Sequence, residues 1–409
     1  MKIFGEDGFR DLFKKGLLEE KFLNKFFSAL DIFLKRQKVK KVFIGYDTRF
    51  SSKYLIHLII KNLISIKLIY VGNKPLSTPC LYYSSKQRKS FSIMITASHF
   101  QKNFNGFKFF YRGRKLDKNY EKKILSLFKY VNKNKYKIKQ IVKKVSLHEN
   151  YLRFINERFN FNDIKKKILV DFANGSASIF KNKLNFLKNC NKINYLYNGH
   201  NINEKCGSNF LKKNINKKNF KKFNYCIAFD GDGDRALFSK QKYGIIESEK
   251  IAIIFLNYFK YHKGHSVYNV VSTKIVNPWL KEYLKNENNI RLYKTKVGDR
   301  NIINKQIKVK SILGFETSGH YSFYYAMDGI YAAGLFLEIL KENPELIDKI
   351  INIPIAYKLK IFNFSSNCTK DIKRKLKLIK NKGNKIIVRK SIWEDTTRIY
   401  LFYKNSQIK

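Results

Sequence analysis

The chain has 409 residues, 44% hydrophobic and 15% aromatic, which excludes a disordered polypeptide and leaves room for several buried cores. Lys and Arg outnumber Asp and Glu by 83 to 31, a formal charge of +52. The lysines are spread through every segment instead of forming one basic face, so the excess reads as a solvated surface and not as a nucleic-acid site; it should concentrate anionic substrates.

Five cysteines (Cys80, Cys190, Cys206, Cys226, Cys368) fit no metal spacing and read as free thiols of a reducing compartment. The start, Met1 to Asp7, does not resemble a secretory leader. The most apolar stretch, Tyr54 to Val71, carries His57, Lys61 and Lys67 at helix-like intervals. A helix followed by a strand is expected there, with no membrane span. A cytoplasmic protein follows.

In chain order, Phe4-Gly5-Glu6-Asp7-Gly8-Phe9-Arg10 reads as a turn able to lay Arg10 into a cleft. A helix over about Glu19 to Arg36 precedes the apolar strand Lys41–Gly45. That strand runs into Tyr46-Asp47-Thr48-Arg49, either a helix cap or a ligand-facing strand end. The next strand, Phe91–Ile95, runs into Thr96-Ala97-Ser98-His99. Ser98 is placed to attack or carry a phosphoryl group; as a bare residue it would be an N-cap. The adjacent His99 makes no hydrolase triad, because neighbouring side chains seldom face each other and no G-x-S-x-G elbow surrounds them. Asn105-Gly106 reads as a hairpin turn. Lys108, alone among aromatics, either snorkels to water or is held near a cleft.

The charged helical run Lys118 to Lys144 marks a boundary. A second α/β unit follows from the strand Ile168–Asp171, and its polar loop Asn201–Ser208 suggests no chemistry of its own. This unit closes on Phe229-Asp230-Gly231-Asp232-Gly233-Asp234-Arg235, after the apolar Tyr225–Ala228. The glycines allow a sharp turn that converges three carboxylates on one point, where Mg²⁺ is the natural occupant; Arg235 beside them suits a phosphate. An acidic surface turn is the plainer alternative.

A third α/β unit starts near Glu247, with a strand at Val267–Val271 and the loop Lys296-Val297-Gly298-Asp299-Arg300. The strand Ser311–Phe315 ends in Glu316-Thr317-Ser318-Gly319-His320. In an extended loop Glu316, Ser318 and His320 would line one wall, suited to sugar hydroxyls, with His320 free to move a proton. A helix over Gly329 to Lys341 follows. The small last segment carries Arg389, Ser391 and Arg398, a plausible phosphate clamp.

Taken in this order, FGEDGFR, GYDTRFSS, ITASH with NGFKFF, NINEKCGS, AFDGDGDR, VGDR, GFETSGH and RKS..ED..R resemble the α-D-phosphohexomutase superfamily along the whole chain. NINEKCGS resembles its phosphoglucosamine branch. The resemblance implies three similar mixed-sheet α/β domains (1–143, 144–244, 245–352) and a smaller C-terminal α+β domain (353–409) around a central cleft. It implies that Ser98 is the phosphoserine, with Mg²⁺ on its phosphate and on Asp230, Asp232 and Asp234. Arg10, Lys108 and Arg235 would surround the transferring phosphoryl group. Glu316, Ser318 and His320 would hold sugar hydroxyls, and Arg389, Ser391 and Arg398 the phosphate that is not reacting.

The implied activity interconverts glucosamine 6-phosphate and glucosamine 1-phosphate for amino-sugar nucleotide and cell-wall synthesis, with a hexose 1,6-bisphosphate as intermediate and activator. Glucose or mannose phosphates are the rival substrates. A catalytically dead sugar-phosphate binder and a nucleic-acid binder are the remoter alternatives. The expected partners are small sugar phosphates, with neither nucleic acid nor membrane, and a monomer or homodimer. Phe100 and Gln101 stand where the family usually has Asn-Pro. Glu6 replaces its usual Thr, and Ile392, Trp393 and Asp395 replace Gly, Thr and Pro of the terminal motif. A working but slow enzyme is expected.

Overall fold

The computed structural model describes residues 3–88, 90–131, 140–264, 267–365, 385–390 and 396–404. The chain forms two compact units: Met1–Ile246 with Ala326–Lys341, and Glu247–Tyr325 with Glu342–Lys409.

The first unit contains two sheets. The larger one has the strand order Phe9–Leu12, Phe104–Tyr111, Phe91–Ile95, Lys41–Tyr46, Leu68–Gly72, Ile141–Val145, with Arg114–Lys115 added to Phe104–Tyr111. The strands from Phe91–Ile95 outward to Ile141–Val145 run parallel, and the other pairings are antiparallel. The strands Phe91–Ile95 and Lys41–Tyr46 lie at the centre and are nearly continuous in apolar residues. The helix Glu20–Arg36 buries Leu23, Phe26, Phe27, Leu30, Phe33 and Leu34, spaced three or four apart on one face. Phe26 meets Phe9 edge-on at 4.8 Å, and Phe27 meets Phe107 edge-on at 5.1 Å. The helix Ser52–Asn62 and the strand Leu68–Gly72 account for the apolar stretch from Tyr54.

Ile141–Val145 continues the first sheet across the expected boundary at 143. Its paired lysines Lys143 and Lys144 and its exposed residues suit an edge strand, with one side paired and its surface left to water. The second sheet has the order Gly244–Ile245, Ala236–Lys240, Tyr225–Phe229, Ile168–Asp171, Asn191–Ile193. The helix Gly329–Glu342 is buried almost all round. Through residue 341 it belongs to the first unit, where Phe336 packs on Phe238 at 4.6 Å and on Tyr225 at 5.8 Å. This differs from a continuous third domain over 245–352, because the helix has more apolar surface than one face can hide.

The second unit holds a four-stranded sheet, Ile290–Thr295, Tyr268–Thr273, Leu313–Phe315, Tyr321–Ser322. It also holds a three-stranded antiparallel sheet, Tyr357–Ser365, Thr396–Lys404, Lys385–Lys390. Ile275 packs with Tyr400 and Phe402 to join them. Among the described residues, no helix is long and apolar enough to cross a membrane. Cys80, Cys190, Cys206 and Cys226 are free and buried, and burial pushes the thiols of Cys190 and Cys226 up to about 11. Cys368 lies outside the described residues.

Candidate active site

Within the first unit the chemistry-bearing loops all leave the C-terminal ends of parallel strands, where open α/β sheets present ligands. Phe91–Ile95 delivers Ser98, and Tyr225–Phe229 delivers Asp230. The Ser98 hydroxyl donates to Asp230 Oδ2 at 2.6 Å. The carboxylates of Asp230, Asp232 and Asp234 are buried and converge, with one oxygen of each within 4.8 Å of the others. Gly233, at φ +71°, makes the turn that allows this. A Cβ on Gly231 would lie 2.6 Å from the Ser98 carbonyl oxygen, so only glycine lets the two loops touch.

Lys108 does not reach solvent. Its ammonium lies 2.6 Å from Asp234 Oδ2, 2.8 Å from Asp232 Oδ2 and 3.2 Å from Asp7 Oδ2. Lys115 holds the other Asp7 oxygen at 2.8 Å. Burial raises the Asp7 pKa, but the Lys115 and Lys108 charges outweigh it and hold the carboxyl well below the usual range. Asp230 goes the other way. Burial first, then the Asp234 and Asp232 charges, push it up to about 7, against the pull of Arg235 and the Ser98 hydroxyl. Arg235 Nε lies 3.7 Å from Asp230 Oδ2.

Arg10 is half-buried, with its guanidinium carbon 5.1 Å from the centre of the Phe100 ring. Burial lowers its pKa; Asp7 opposes this, Arg235 adds to it, and Asp232 and Asp234 oppose it. Asn105-Gly106 is not a hairpin turn. Both residues lie inside the strand Phe104–Tyr111, and Gly106 pairs with Arg10. A Cβ there would stand 2.6 Å from Arg10 Cβ and against the Phe9 carbonyl, so this glycine serves a close backbone approach.

Two residues without an assigned role in the sequence turn out to hold the Ser98 loop. Arg49, buried and ion-paired to Asp47 at 2.9 Å, donates to the carbonyls of Ser98 (3.0 Å), Phe100 (2.8 Å), Phe104 (3.0 Å) and Gln101. Asn203, from the polar loop 201–208, donates to the carbonyls of Ser98 at 2.8 Å and Phe100 at 2.9 Å. Asp47 also accepts from the Thr96 hydroxyl at 2.7 Å, and the Thr96 hydroxyl oxygen accepts the Ser98 N–H at 2.8 Å. This lattice keeps Ser98 at φ +53°, a conformation that costs a non-glycine residue roughly 1–3 kcal/mol. The signal for Arg49 was its place at a strand end. For Asn203 it was polarity alone.

All the oxygen donors of the cluster are hard, and Asp232 Oδ1 is buried without a hydrogen bond among the described residues. Asp230, Asp232 and Asp234 therefore fit a small oxygen-seeking dication.

In the second unit, Glu316, Ser318 and His320 meet, but not through an extended loop. Residues 316–320 form the tight turn between the antiparallel strands Leu313–Phe315 and Tyr321–Ser322, with Gly319 at φ +89°. The Glu316 N–H bonds the His320 carbonyl at 3.0 Å. Ser318 Oγ lies 2.9 Å from His320 Nδ1, and Glu316 Oε2 lies 3.4 Å from it. The Gly298 N–H donates to Glu316 Oε1 at 2.8 Å, and Asp299 Oδ1 approaches His320 Nδ1 to 3.9 Å. Arg389 and Arg398 are cross-strand partners in the C-terminal sheet. Ser391, Ile392, Trp393 and Asp395 lie outside the described residues.

Residues 1–135 match the family model described as phosphoglucomutase/phosphomannomutase, alpha/beta/alpha domain I, and residues 247–357 match domain III of the same family. The phosphoglucosamine mutase of Dictyoglomus turgidum is 32% identical, with 98% of this chain and 94% of that protein aligned. The chain belongs to the α-D-phosphohexomutase superfamily. The phosphoglucosamine mutase of Caldicellulosiruptor bescii is also similar to this phosphohexomutase chain, at 28% identity over 98% of it and 94% of the relative. Among solved structures, a phosphoglucomutase/phosphomannomutase family protein from Burkholderia thailandensis shares the phosphohexomutase fold at TM-score 0.79 and 17% identity, covering 99% of this chain and 94% of its own. Aspergillus fumigatus N-acetylphosphoglucosamine mutase, solved with GlcNAc-6P and magnesium, does so at TM-score 0.67 and 14% identity, covering 100% and 93%.

Proposed function

We propose that this phosphohexomutase is a phosphoglucosamine mutase, interconverting glucosamine 6-phosphate and glucosamine 1-phosphate through a phosphorylated Ser98 and a bisphosphorylated sugar. One observation carries the reading. The Ser98 hydroxyl lies 2.6 Å from Asp230 Oδ2, in a pocket of three buried carboxylates and the Lys108 ammonium. The names of relatives aligned over nearly the whole chain support the amino sugar over glucose or mannose.

In one half-reaction a sugar hydroxyl oxygen bonds to phosphorus while the bond to Ser98 Oγ breaks. The hydroxyl loses its proton and the serine regains one. The second half-reaction runs in reverse on the sugar's other phosphate. Such transfer needs positioning and charge neutralisation above all. A phosphoserine carries roughly −1.5 to −2 charge. Lys108, Arg10 and Arg235 are proposed to meet that charge. Mg²⁺ bound to Asp230, Asp232, Asp234 and the Ser98 phosphate would supply further positive charge to the phosphoryl oxygens. Glu316 and Ser318 are assigned to the sugar hydroxyls, His320 to a hydroxyl proton, and Arg389, Ser391 and Arg398 to the remote phosphate. A four-domain division, with its first boundary past Val145, belongs to the same proposal and draws support from the four sheets.

The test is a coupled assay with glucosamine 6-phosphate, Mg²⁺ and a trace of hexose 1,6-bisphosphate, run beside glucose and mannose phosphates. Turnover fastest on the amino sugar is expected. Intact mass should show one added phosphate that Ser98→Ala lacks, and that variant should be inactive. Equal activity in Ser98→Ala would sink the phosphoserine reading.

A further inference from the structure

Arg10 is a cation of the first unit whose position ion pairing does not explain. Among the described residues its guanidinium makes no hydrogen bond and no ion pair within 4 Å, although Asp7, Asp232 and Asp234 attract it and Arg235 repels it. Its backbone is fixed, because Arg10 pairs in register with Gly106 at a distance only glycine allows. Among the described residues, the contact of the side chain is with the Phe100 ring.

We propose that Phe100 is a positioning residue for Arg10, holding the guanidinium by its ring so that its N–H groups stay free for a phosphoryl group. The proposal rests on the role given to Arg10 in the proposed function. A carboxylate at this place would also fix the arginine, but it would take up the N–H donors and neutralise the charge. An aromatic ring attracts the cation through its quadrupole and accepts no conventional hydrogen bond. The ring is a rigid platform. Its residue's carbonyl is held by Arg49 at 2.8 Å and Asn203 at 2.9 Å, and its N–H donates to the Ala97 carbonyl at 3.1 Å. Phe104 packs against it, with ring centres 5.0 Å apart. The same contacts that set Ser98 therefore set Phe100, two residues on, and through it Arg10. The attraction of the carboxylate cluster for the guanidinium is opposed by a partner that leaves the charge intact.

The experiment measures phosphate transfer from hexose 1,6-bisphosphate to Ser98 by rapid mixing and intact mass, with steady-state kcat and KM beside it. The variants are Phe100→Leu, Phe100→Tyr, Arg10→Met and the Leu/Met double variant. Urea midpoints check folding, with Phe100→Met in reserve should the leucine variant not fold. Phe100→Leu is expected to slow transfer about tenfold, and Phe100→Tyr to stay close to wild type. In the Arg10→Met background, Phe100→Leu should change nothing further. Full additivity of the two losses, a leucine variant as fast as wild type, or a tyrosine variant as slow as leucine overturns the role of Phe100 alone. If the wild-type chain takes up no phosphate, the proposed function falls and this role with it.

Discussion

At the scale of single residues, the site combines groups whose charge states are set against each other. Lys108 sits among three carboxylates, and burial with the Asp234 and Asp232 charges pushes the Asp230 acid up to about 7. Lys108→Met should lower kcat by about 10²–10³-fold, the usual loss when one preorganised charge is removed from a transfer site; steady-state kinetics would read it. The raised Asp230 pKa makes a prediction about stability. Between its unfolded value near 4 and its folded value near 7 the native state binds the extra proton, so this group's contribution falls as pH rises through that window. In chelator, Asp230→Asn should therefore match the wild-type melting temperature near pH 5 and exceed it near pH 8. Added Mg²⁺ should reverse the order at the higher pH, because only the intact cluster gains binding energy. Melting curves that keep a constant gap across pH would refute the assignment.

At the scale of elements, a loop is made rigid by side chains from elsewhere. Arg49 spends its donors on backbone carbonyls of the Ser98 segment while its charge is balanced by Asp47. Arg49→Met strands a buried carboxylate and should cost about 3 kcal/mol. That is the low end for such a loss, since burial already raises the Asp47 pKa and lets it take a proton instead. Urea unfolding would measure it, and a loss below about 1 kcal/mol would count against the lattice. Gly106→Ala tests the neighbouring strand. Its Cβ would collide with Phe9 and Arg10, so a loss of about 1–3 kcal/mol should come with a fall in kcat as Arg10 shifts. The melting temperature and the rate would be followed together. The helix Gly329–Glu342 supports the same region, since its first N–H donates to the Gly233 carbonyl at 3.2 Å inside the carboxylate turn.

At the scale of the whole molecule, the lysines behind the +52 charge are spread along the sequence and should act through their summed field. Raising salt should increase KM for sugar phosphates several-fold with little change in kcat, because screening weakens capture and leaves the buried charges intact. Any association with duplex DNA should disappear by about 0.2 M salt, as expected for scattered lysines. DNA binding that outlasts such salt would revive the nucleic-acid reading.

Local patterns made much of the protein legible. The strands Phe91–Ile95, Ile168–Asp171 and Tyr225–Phe229, the helix Glu20–Arg36 and the convergence at Asp230 follow from apolar periodicity and from glycines beside carboxylates, and both act over a few residues. The failures had one long-range and one local cause. Asn105-Gly106 has turn chemistry, but the Arg10 backbone, almost a hundred residues away, claimed it for a strand. Glu316, Ser318 and His320 were expected to face one way by alternation, and a hairpin turn brought them together instead. Sequence alone determined which residues carry charge and which hydroxyls and carboxylates are chemically suited to a metal or a phosphoryl group. Only tertiary structure decided that Arg49 and Asn203 hold Ser98, that Phe100 lies under Arg10, and that Lys108 lies inside the acid cluster. Those outcomes depend on which loops two sheets bring side by side, and no spacing along the chain encodes that.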